Sequence, residues 1–158
     1  MRANKRTHMV SLIVTALFVF VLGCVLLGTF SHREPPQAGN LIENGDFSAV
    51  TNGVPDGWTT GMWITSAGTS YLEAMTLEDG TTSVLIENAG RNDARFEQTV
   101  LVHENTTYRL SARVRAEGCE KDRIGANLSF LNIYGTSDCV YDTDGEWATL
   151  TLYARTGF

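Results

Sequence analysis

The segment "ARFEQ" holds the residues of this sequence that are best suited to chemistry, because Arg95 and Glu97 alternate there with apolar positions. On a β-strand two such residues point to the same face, so a guanidinium and a carboxylate stand side by side. Together they can bind adjacent hydroxyl groups of a ligand by forked hydrogen bonds. They can equally bind each other as a surface ion pair, which contributes roughly 0–1 kcal/mol to stability.

Catalytic and metal-binding patterns are missing from the sequence. Many carboxylates are present, but none stands out as one of the pair that glycoside hydrolysis needs. His103 falls in a predicted turn and His32 in a predicted linker, and neither has a Ser or Cys partner in a recognisable context. No CxxC pair or histidine cluster suggests zinc. We therefore expect no enzyme activity.

A long uncharged run, "MVSLIVTALFVFVLGCVLLGTF", extends from Met9 to Phe30. At about 1.5 Å per residue, a helix of this length spans the ~30 Å hydrocarbon core of a bilayer. Arg2, Lys5 and Arg6 make residues 1–8 a basic tail that is expected to stay in the cytoplasm. The pattern predicts a single-pass protein of the cell membrane whose C-terminal part is extracellular.

Three fates compete for this apolar run. A cleaved signal peptide has a shorter apolar core and a small-residue exit, whereas "GTFSHRE" is a poor exit. A lipoprotein would use Cys24 in "VLGC", but the sequence stays apolar after that cysteine. The length of the run favours an uncleaved signal anchor.

Charge and cysteines restrict the function of the exterior part. The chain has a formal net charge of −6, all of its acidic residues follow the predicted membrane segment, and no basic stripe for nucleic acid is present. Cys119 and Cys139 flank one predicted strand, and an extracellular compartment permits a disulfide between them. Two free thiols are the alternative, because sequence does not give the separation of their Cα atoms.

The exterior part shows the period-2 alternation of β-strands and no helical periodicity. Residues 31–39, "SHREPPQAG", form a linker that is stiffened by two prolines. Residues 40–158 then alternate apolar and polar positions in "TTYRLSARVRAEG" and "EWATLTLYART", with turn signals such as Asp-Gly between segments. "LIENGDF" reads as a short kinked strand, "TNGVPDG" as a loop and "GWTT" as the start of the next strand. The pattern predicts an all-β fold, an antiparallel β-sandwich of two packed sheets.

The order of several motifs gives this sandwich a family resemblance. "NLIENGDFSA" is followed by "GVPDGW", then by "RFEQTVLVHENTTYRLSARVRAEG" and finally by "GEWATLTLYA". This series, from about Asn40 to Thr156, resembles the carbohydrate-binding modules of families 4, 9, 16 and 22. The resemblance implies a β-jelly roll of the kind that accompanies glycoside hydrolases, although related jelly rolls also serve as spacers.

The resemblance has one departure, at the C-terminus. Family members continue through further strands to an F-D-D-like segment beside a structural calcium, whereas this sequence stops at Phe158. We therefore expect an incomplete jelly roll with no cofactor, in which Glu43 and Asp46 are turn and surface residues. "DTDGE", residues 142–146, resembles the start of a calcium loop but lacks the Glu at its end, so a hairpin turn is predicted.

The resemblance also implies where a glycan would bind. Ring faces stack on the C–H surfaces of sugars, and polar side chains bind paired hydroxyl groups. Trp58 and Tyr108 are predicted to be core, and Trp147 core or rim. The predicted ligand-binding residues are Trp63, Tyr71, Arg95, Glu97, Asn127 and Tyr134.

The sequence leaves three functions to compare. The leading hypothesis is a membrane-anchored extracellular module that binds a polysaccharide or glycan without catalysis. The second is the accessory N-terminal domain of a larger membrane-bound glycoside hydrolase or glycosyltransferase. The third is a spacer or protein-interaction domain, which would be preferred if Trp63, Arg95 and Tyr134 were buried or scattered over different faces.

Overall fold

The computed structural model of the chain describes residues 7–14, 39–131 and 135–157. Within these ranges all regular structure is β-strand and all strand pairs are antiparallel, which confirms the all-β prediction. The strands are β1 (Thr7–Val14), β2 (Val50–Thr51), β3 (Val54–Pro55), β4 (Thr59–Met62), β5 (Ser70–Thr76), β6 (Thr82–Asn88), β7 (Ala94–His103), β8 (Thr107–Val114), β9 (Leu128–Phe130) and β10 (Ala148–Arg155).

The largest sheet has the order β4-β7-β1-β9 and is called here the β7 sheet. β7 pairs with β4 on one side, where Gly61 lies opposite Arg95, and with β1 on the other. β1 in turn pairs with β9, so β7 and β9 are neighbours only through β1. The alternation of "ARFEQTVLV" buries Ala94, Phe96 and Gln98 and leaves the intervening side chains on the outer face.

β8 and β10 form a two-stranded ribbon that supplies the opposite layer. Alternate residues of both strands are buried, as the sequence predicts, and they meet the buried residues of the β7 sheet and of the β5–β6 hairpin in one core. The core contains Phe47, Trp58, Val84, Phe96, Leu110, Ala112, Val114, Leu128, Leu150 and Leu152. Two layers that share one core form a β-sandwich, and their outer faces point in opposite directions.

Turns depart from the sequence predictions at two places. "LIENGDF" contains bends and turns rather than a strand, because Asn44 and Phe47 both adopt a positive φ. In "TNGVPDG", a tight turn at Asn52-Gly53 joins β2 and β3 into a short hairpin. Asn followed by Gly suits this turn because both residues have φ > 0.

The predicted turn in "DTDGE" is present, but the prediction that it closes a hairpin is wrong. The amide of Glu146 donates to the carbonyl of Thr143, and Asp144 and Gly145 both have positive φ. Thr143 bonds to the backbone of Ala116, and Ala148 pairs with Val114, so both flanks of the turn follow the same neighbouring strand. The turn is therefore a loop-out, meaning an insertion within one extended segment that bonds to a single neighbouring strand on both sides of the turn.

The predicted membrane helix, residues 9–30, is not tested by the structure. Residues 9–14 are extended in β1, and residues 15–30 lie outside the described part of the chain. No helix of sufficient length and apolarity to cross a bilayer occurs among the described residues. A segment that pairs with β7 and β9 cannot lie in a membrane at the same time, so the two placements of residues 9–14 exclude each other.

Candidate functional site

The outer face of β4 and β7 carries Arg95 and Glu97, two of the six predicted binding residues. The register pairs Thr59 with Glu97 and Gly61 with Arg95. Because alternate residues of a strand point to opposite faces, these four residues share the face that points away from buried Phe96. The predicted pair therefore lies on a sheet surface, bordered by β4.

Arg95 is held in place by two carboxylates. Its Nε atom lies 3.3 Å from Glu97 Oε2, and its Nη1 atom lies 3.4 Å from Asp93 Oδ2. Its guanidinium lies over β4 at Gly61, where an added Cβ would come within 3.2 Å of the guanidinium carbon and nitrogens. Gly61 thus provides the space in which Arg95 crosses the neighbouring strand.

Trp63 follows the end of β4 and is 83% exposed. Its amide donates to the carbonyl of Asp93 at 2.9 Å, which extends the pairing of β4 with the chain that leads into β7. The side chain of Asn92 holds the next residue, since its Oδ1 accepts from the amide of Ile64 at 2.8 Å and its Nδ2 donates to the Ile64 carbonyl at 2.9 Å. The backbone at Trp63 is therefore fixed while its ring faces solvent.

Asn127 lies on the same outer face, two strands away. Residue 13 of β1 pairs with Glu97 on one side and with Ser129 on the other. Asn127 lies two residues before Ser129, and Arg95 lies two residues before Glu97, so Asn127 and Arg95 are at the same level across the sheet. Two strand spacings amount to about 10 Å. The Nδ2 atom of Asn127 donates to the Gly125 carbonyl at 3.0 Å, which orients the amide along the loop.

Tyr71 is not brought together with the other predicted residues. It lies exposed on β5, opposite Glu87 in the separate β5–β6 hairpin. A hydrogen bond with Glu73 is the main cause that raises the pKa of Tyr71 above its ordinary value. Tyr134, the sixth predicted residue, lies outside the described residues.

The aromatic residues assigned to the interior fall into three groups. Trp58 is buried, as predicted, and its ring centroid lies 5.1 Å from that of Phe47. Trp147 is half-buried at the rim. Tyr108 is half-buried rather than core, because its hydroxyl accepts a hydrogen bond from the amide of His103 and a phenol oxygen requires such a partner.

The sequence also predicts a role for the two exterior cysteines and for Glu43 and Asp46. Cys119 and Cys139 are half-buried free thiols in the structure, and the disulfide between them stays a prediction. Asp46 accepts hydrogen bonds from the amide and hydroxyl of Ser48, which makes it a turn residue, and the side chain of Glu43 is exposed. In the described ranges no group of three or more His, Cys, Asp or Glu is arranged to hold a metal ion.

Sequence reasoning missed Gly61, Asn92 and Asp93 as parts of this site. Gly61 and Asp93 matter because of the strand register, which joins residues far apart in sequence. The Gly-Arg-Asn-Asp turn signal before β7 was visible in the sequence, but the partner of Asn92 was not. The site as a whole offers an exposed indole, a fixed guanidinium and two carboxylates on an open sheet surface.

Comparison with known proteins gives one match. The model of the carbohydrate-binding domain family of the 4/9 type matches residues 39–152, which is most of the chain. No curated protein and no solved structure matches. The match includes every strand from β2 to β9 and most of β10, and thus contains all residues of the site described above.

Proposed function

Since the chain belongs to the carbohydrate-binding domain family, we propose that it binds a polysaccharide or other glycan on the outer face of β4 and β7. The site consists of Trp63, Arg95 and Glu97, which are positioned by β4 and β7 and do not depend on β1. It recognises the sugar and performs no reaction on it. The jelly-roll topology that the family resemblance implies is part of this proposal.

The observation that carries the proposal is the exposure of Trp63 beside a guanidinium that is already oriented. An indole that is 83% exposed presents a large ring face to the C–H surface of a sugar. Such exposure also means that the ring does not pack in the core. Arg95 is fixed by Asp93 and Glu97, so little side-chain freedom remains to be lost when it donates to hydroxyl groups. The Trp63 ring thus supplies contact area for affinity, and the Arg95 guanidinium orients the bound sugar.

The carboxylates of the site support binding without catalysis. Hydrolysis of a glycosidic bond requires two carboxyl groups that face each other across the scissile bond. Asp93 and Glu97 instead contact the same guanidinium from an open sheet surface. Their role in this proposal is to hold Arg95 and to accept hydrogen bonds from sugar hydroxyls.

The spacer alternative requires that the binding candidates be buried or scattered. Trp63 is exposed and Arg95 half-buried, and both belong to the segment where β4 meets β7. Tyr134 lies outside the described residues and does not enter the comparison. The two residues that can be compared thus favour a binding surface over a spacer.

The proposal places the domain outside the cell membrane, anchored by residues 9–30. The support is the uncharged length of that run and the basic residues before it, Arg2, Lys5 and Arg6. In this placement residues 9–14 leave β1. Alkaline extraction of membranes should leave the chain in the pellet, and protease added to intact cells should remove the domain. Release of the chain by alkali would contradict the anchor.

Binding is tested with the full chain in mild detergent on a glycan array, followed by titration of the polysaccharides that retain it. Trp63→Ala should weaken binding about tenfold or more, because a central aromatic anchor is lost. Ile124→Ala is the matched control, since Ile124 is also 83% exposed but lies in the loop before Asn127. Absence of retention on all polysaccharides, or equal binding by the Trp63 variant, would refute the proposal.

A further inference from the structure

The outer face of the β8–β10 ribbon concentrates positive charge in an acidic protein. Eight of the twelve Lys and Arg residues follow residue 38, and they are outnumbered there by seventeen Asp and Glu. Neither β8 nor β10 contains an acidic residue, although Asp79 in the β5–β6 turn interacts electrostatically with Arg113. Four of the eight basic residues are nevertheless exposed on or directly beside these two strands, on the same face: Arg109, Arg113, Arg115 and Arg155.

Aromatic and hydroxyl side chains alternate with these arginines across the ribbon. The register places Tyr153 opposite Arg109 and Thr149 opposite Arg113, and Tyr153 is 64% exposed. Between these rows, Ser111 lies opposite Thr151, and their hydroxyl oxygens are 3.1 Å apart. The face is therefore a ladder of side chains that are cationic, aromatic or hydroxyl-bearing.

Trp147 lies at one end of this ladder, where its ring contacts the guanidiniums of two arginines. The Cζ atom of Arg113 lies 5.3 Å from the ring centroid of Trp147, and that of Arg115 lies 5.6 Å from it. Cation–π contacts of this length orient both arginines along the ribbon. Tyr153 lies six positions after Trp147, which corresponds to roughly 20 Å along an extended strand.

This ladder is separate from the site on β4 and β7. The buried residues of β8 and β10 and those of β7 meet in one core, so the two outer faces lie on opposite sides of the sandwich. A ligand on one face does not contact the other. Binding to the β8–β10 face is therefore independent of binding to the site on β4 and β7.

We propose that the outer face of the β8–β10 ribbon binds a linear acidic polysaccharide, one whose sugars carry carboxylate or sulfate groups. Arginine guanidiniums match the planar geometry of such anions with paired hydrogen bonds. Tyr153 and Trp147 supply apolar area for sugar rings, and the hydroxyls of Thr149 and Thr151 lie between them. The extended shape of the ladder fits a linear chain rather than a small ion.

Two other polyanions share part of this chemistry. Nucleic acid also combines phosphate contacts with base stacking, but successive bases stack on neighbouring rings, whereas Trp147 and Tyr153 are roughly 20 Å apart. An anionic lipid surface would attract the arginines, but it would make no use of the hydroxyl groups of Thr149 and Thr151, which lie between the two aromatic residues. An acidic polysaccharide uses all three kinds of side chain.

The test compares polygalacturonate with its fully methyl-esterified form, which has the same sugar backbone without the charge. The full chain in mild detergent is measured by biolayer interferometry against each immobilised polymer. The acidic polymer should bind and the ester should not. Arg113→Gln and Arg115→Gln should each weaken binding about tenfold, as expected for loss of a charge-assisted pair. Tyr153→Ala should weaken it severalfold although the charge is unchanged.

Lys121→Gln is the matched control, because it removes one exposed positive charge outside the ladder and should change affinity less than twofold. Three outcomes would overturn the inference. They are equal binding to the ester, equal binding to single-stranded DNA or to phosphatidylserine vesicles, and an unchanged affinity in Tyr153→Ala. Each leaves the proposed function intact, because that function is tested through Trp63 on the other face.

Discussion

Gln98 and Glu43 are joined by two reciprocal hydrogen bonds across 55 positions of sequence. The Oε1 atom of Gln98 accepts from the amide of Glu43 at 2.8 Å, and its Nε2 atom donates to the carbonyl of Glu43 at 3.0 Å. The same Nε2 atom also donates to the carbonyl of Gly57 at 3.1 Å. A single buried side chain on β7 thus ties two loops to the sheet.

Gln98→Leu should reduce the free energy of unfolding by about 3 kcal/mol, because three backbone groups lose a buried partner. Chemical denaturation followed by circular dichroism measures this change. Thr99→Val, at the exposed next position of β7, should stay within roughly 0.5 kcal/mol of the wild type. An equal effect of both substitutions would show that the Gln98 bonds contribute nothing specific.

Gly61→Ala should weaken glycan binding severalfold, because the added methyl group would lie 3.2 Å from the Arg95 guanidinium and shift it from the position in which it donates to the ligand. Titration with a polysaccharide that retains the wild type measures the effect. Gly90→Ala is the control, since a Cβ there meets nothing within 4 Å and its φ is not positive. If Gly61→Ala bound as tightly as Gly90→Ala, the position of Arg95 over β4 would be irrelevant to binding.

Asp79 should make the β5–β6 hairpin sensitive to acid. Hydrogen bonds from the hydroxyl and amide of Thr81, with a smaller contribution from Arg113, hold the pKa of Asp79 below its ordinary value of 3.8. Because the folded state has the lower pKa, the stabilisation is present above 3.8 and is lost as the pH falls through the folded-state pKa.

The measurement is the midpoint of thermal unfolding at pH 7 and at pH 3. The drop between the two should be smaller in Asp79→Asn than in the wild type, since an amide oxygen accepts these bonds at either pH. Asp138→Asn removes an exposed carboxylate outside the hairpin and should leave the wild-type drop unchanged. An identical drop in all three proteins would contradict the assignment to Asp79.

Phe47→Ala should cost about 3–5 kcal/mol, because the ring is completely buried against Trp58 and its removal leaves a cavity. Denaturant titration followed by the fluorescence of Trp58 and the other two tryptophans detects the change. Leu101→Ala removes an apolar side chain that is 65% exposed and should have little effect. A small effect of Phe47→Ala would mean that the loop before β2 is not part of the cooperative fold.

Period-2 alternation was sufficient to predict β8 and β10, because each strand has one face in the core and one in solvent. The same reasoning was wrong for "LIENGDF", since a segment held by the side chain of Gln98 needs no strand partner of its own. Arg95 and Glu97 could be chosen from sequence because they lie two residues apart. Their neighbours Gly61 and Asp93 depend on the register between β4 and β7, which no local pattern encodes.

The loop-out at Asp144 and Gly145 makes the protein easy to tag from within. Thr143 and Ala148, on either side of this turn, both bond to the same neighbouring strand. Residues inserted between them would extend into solvent without shifting the backbone pairing of β8 and β10. A short epitope or a labelling cysteine placed there would lie beside Trp147 and leave both ends of the chain unmodified. Binding to the outer face of the β8–β10 ribbon could then be followed by the fluorescence of the labelled chain.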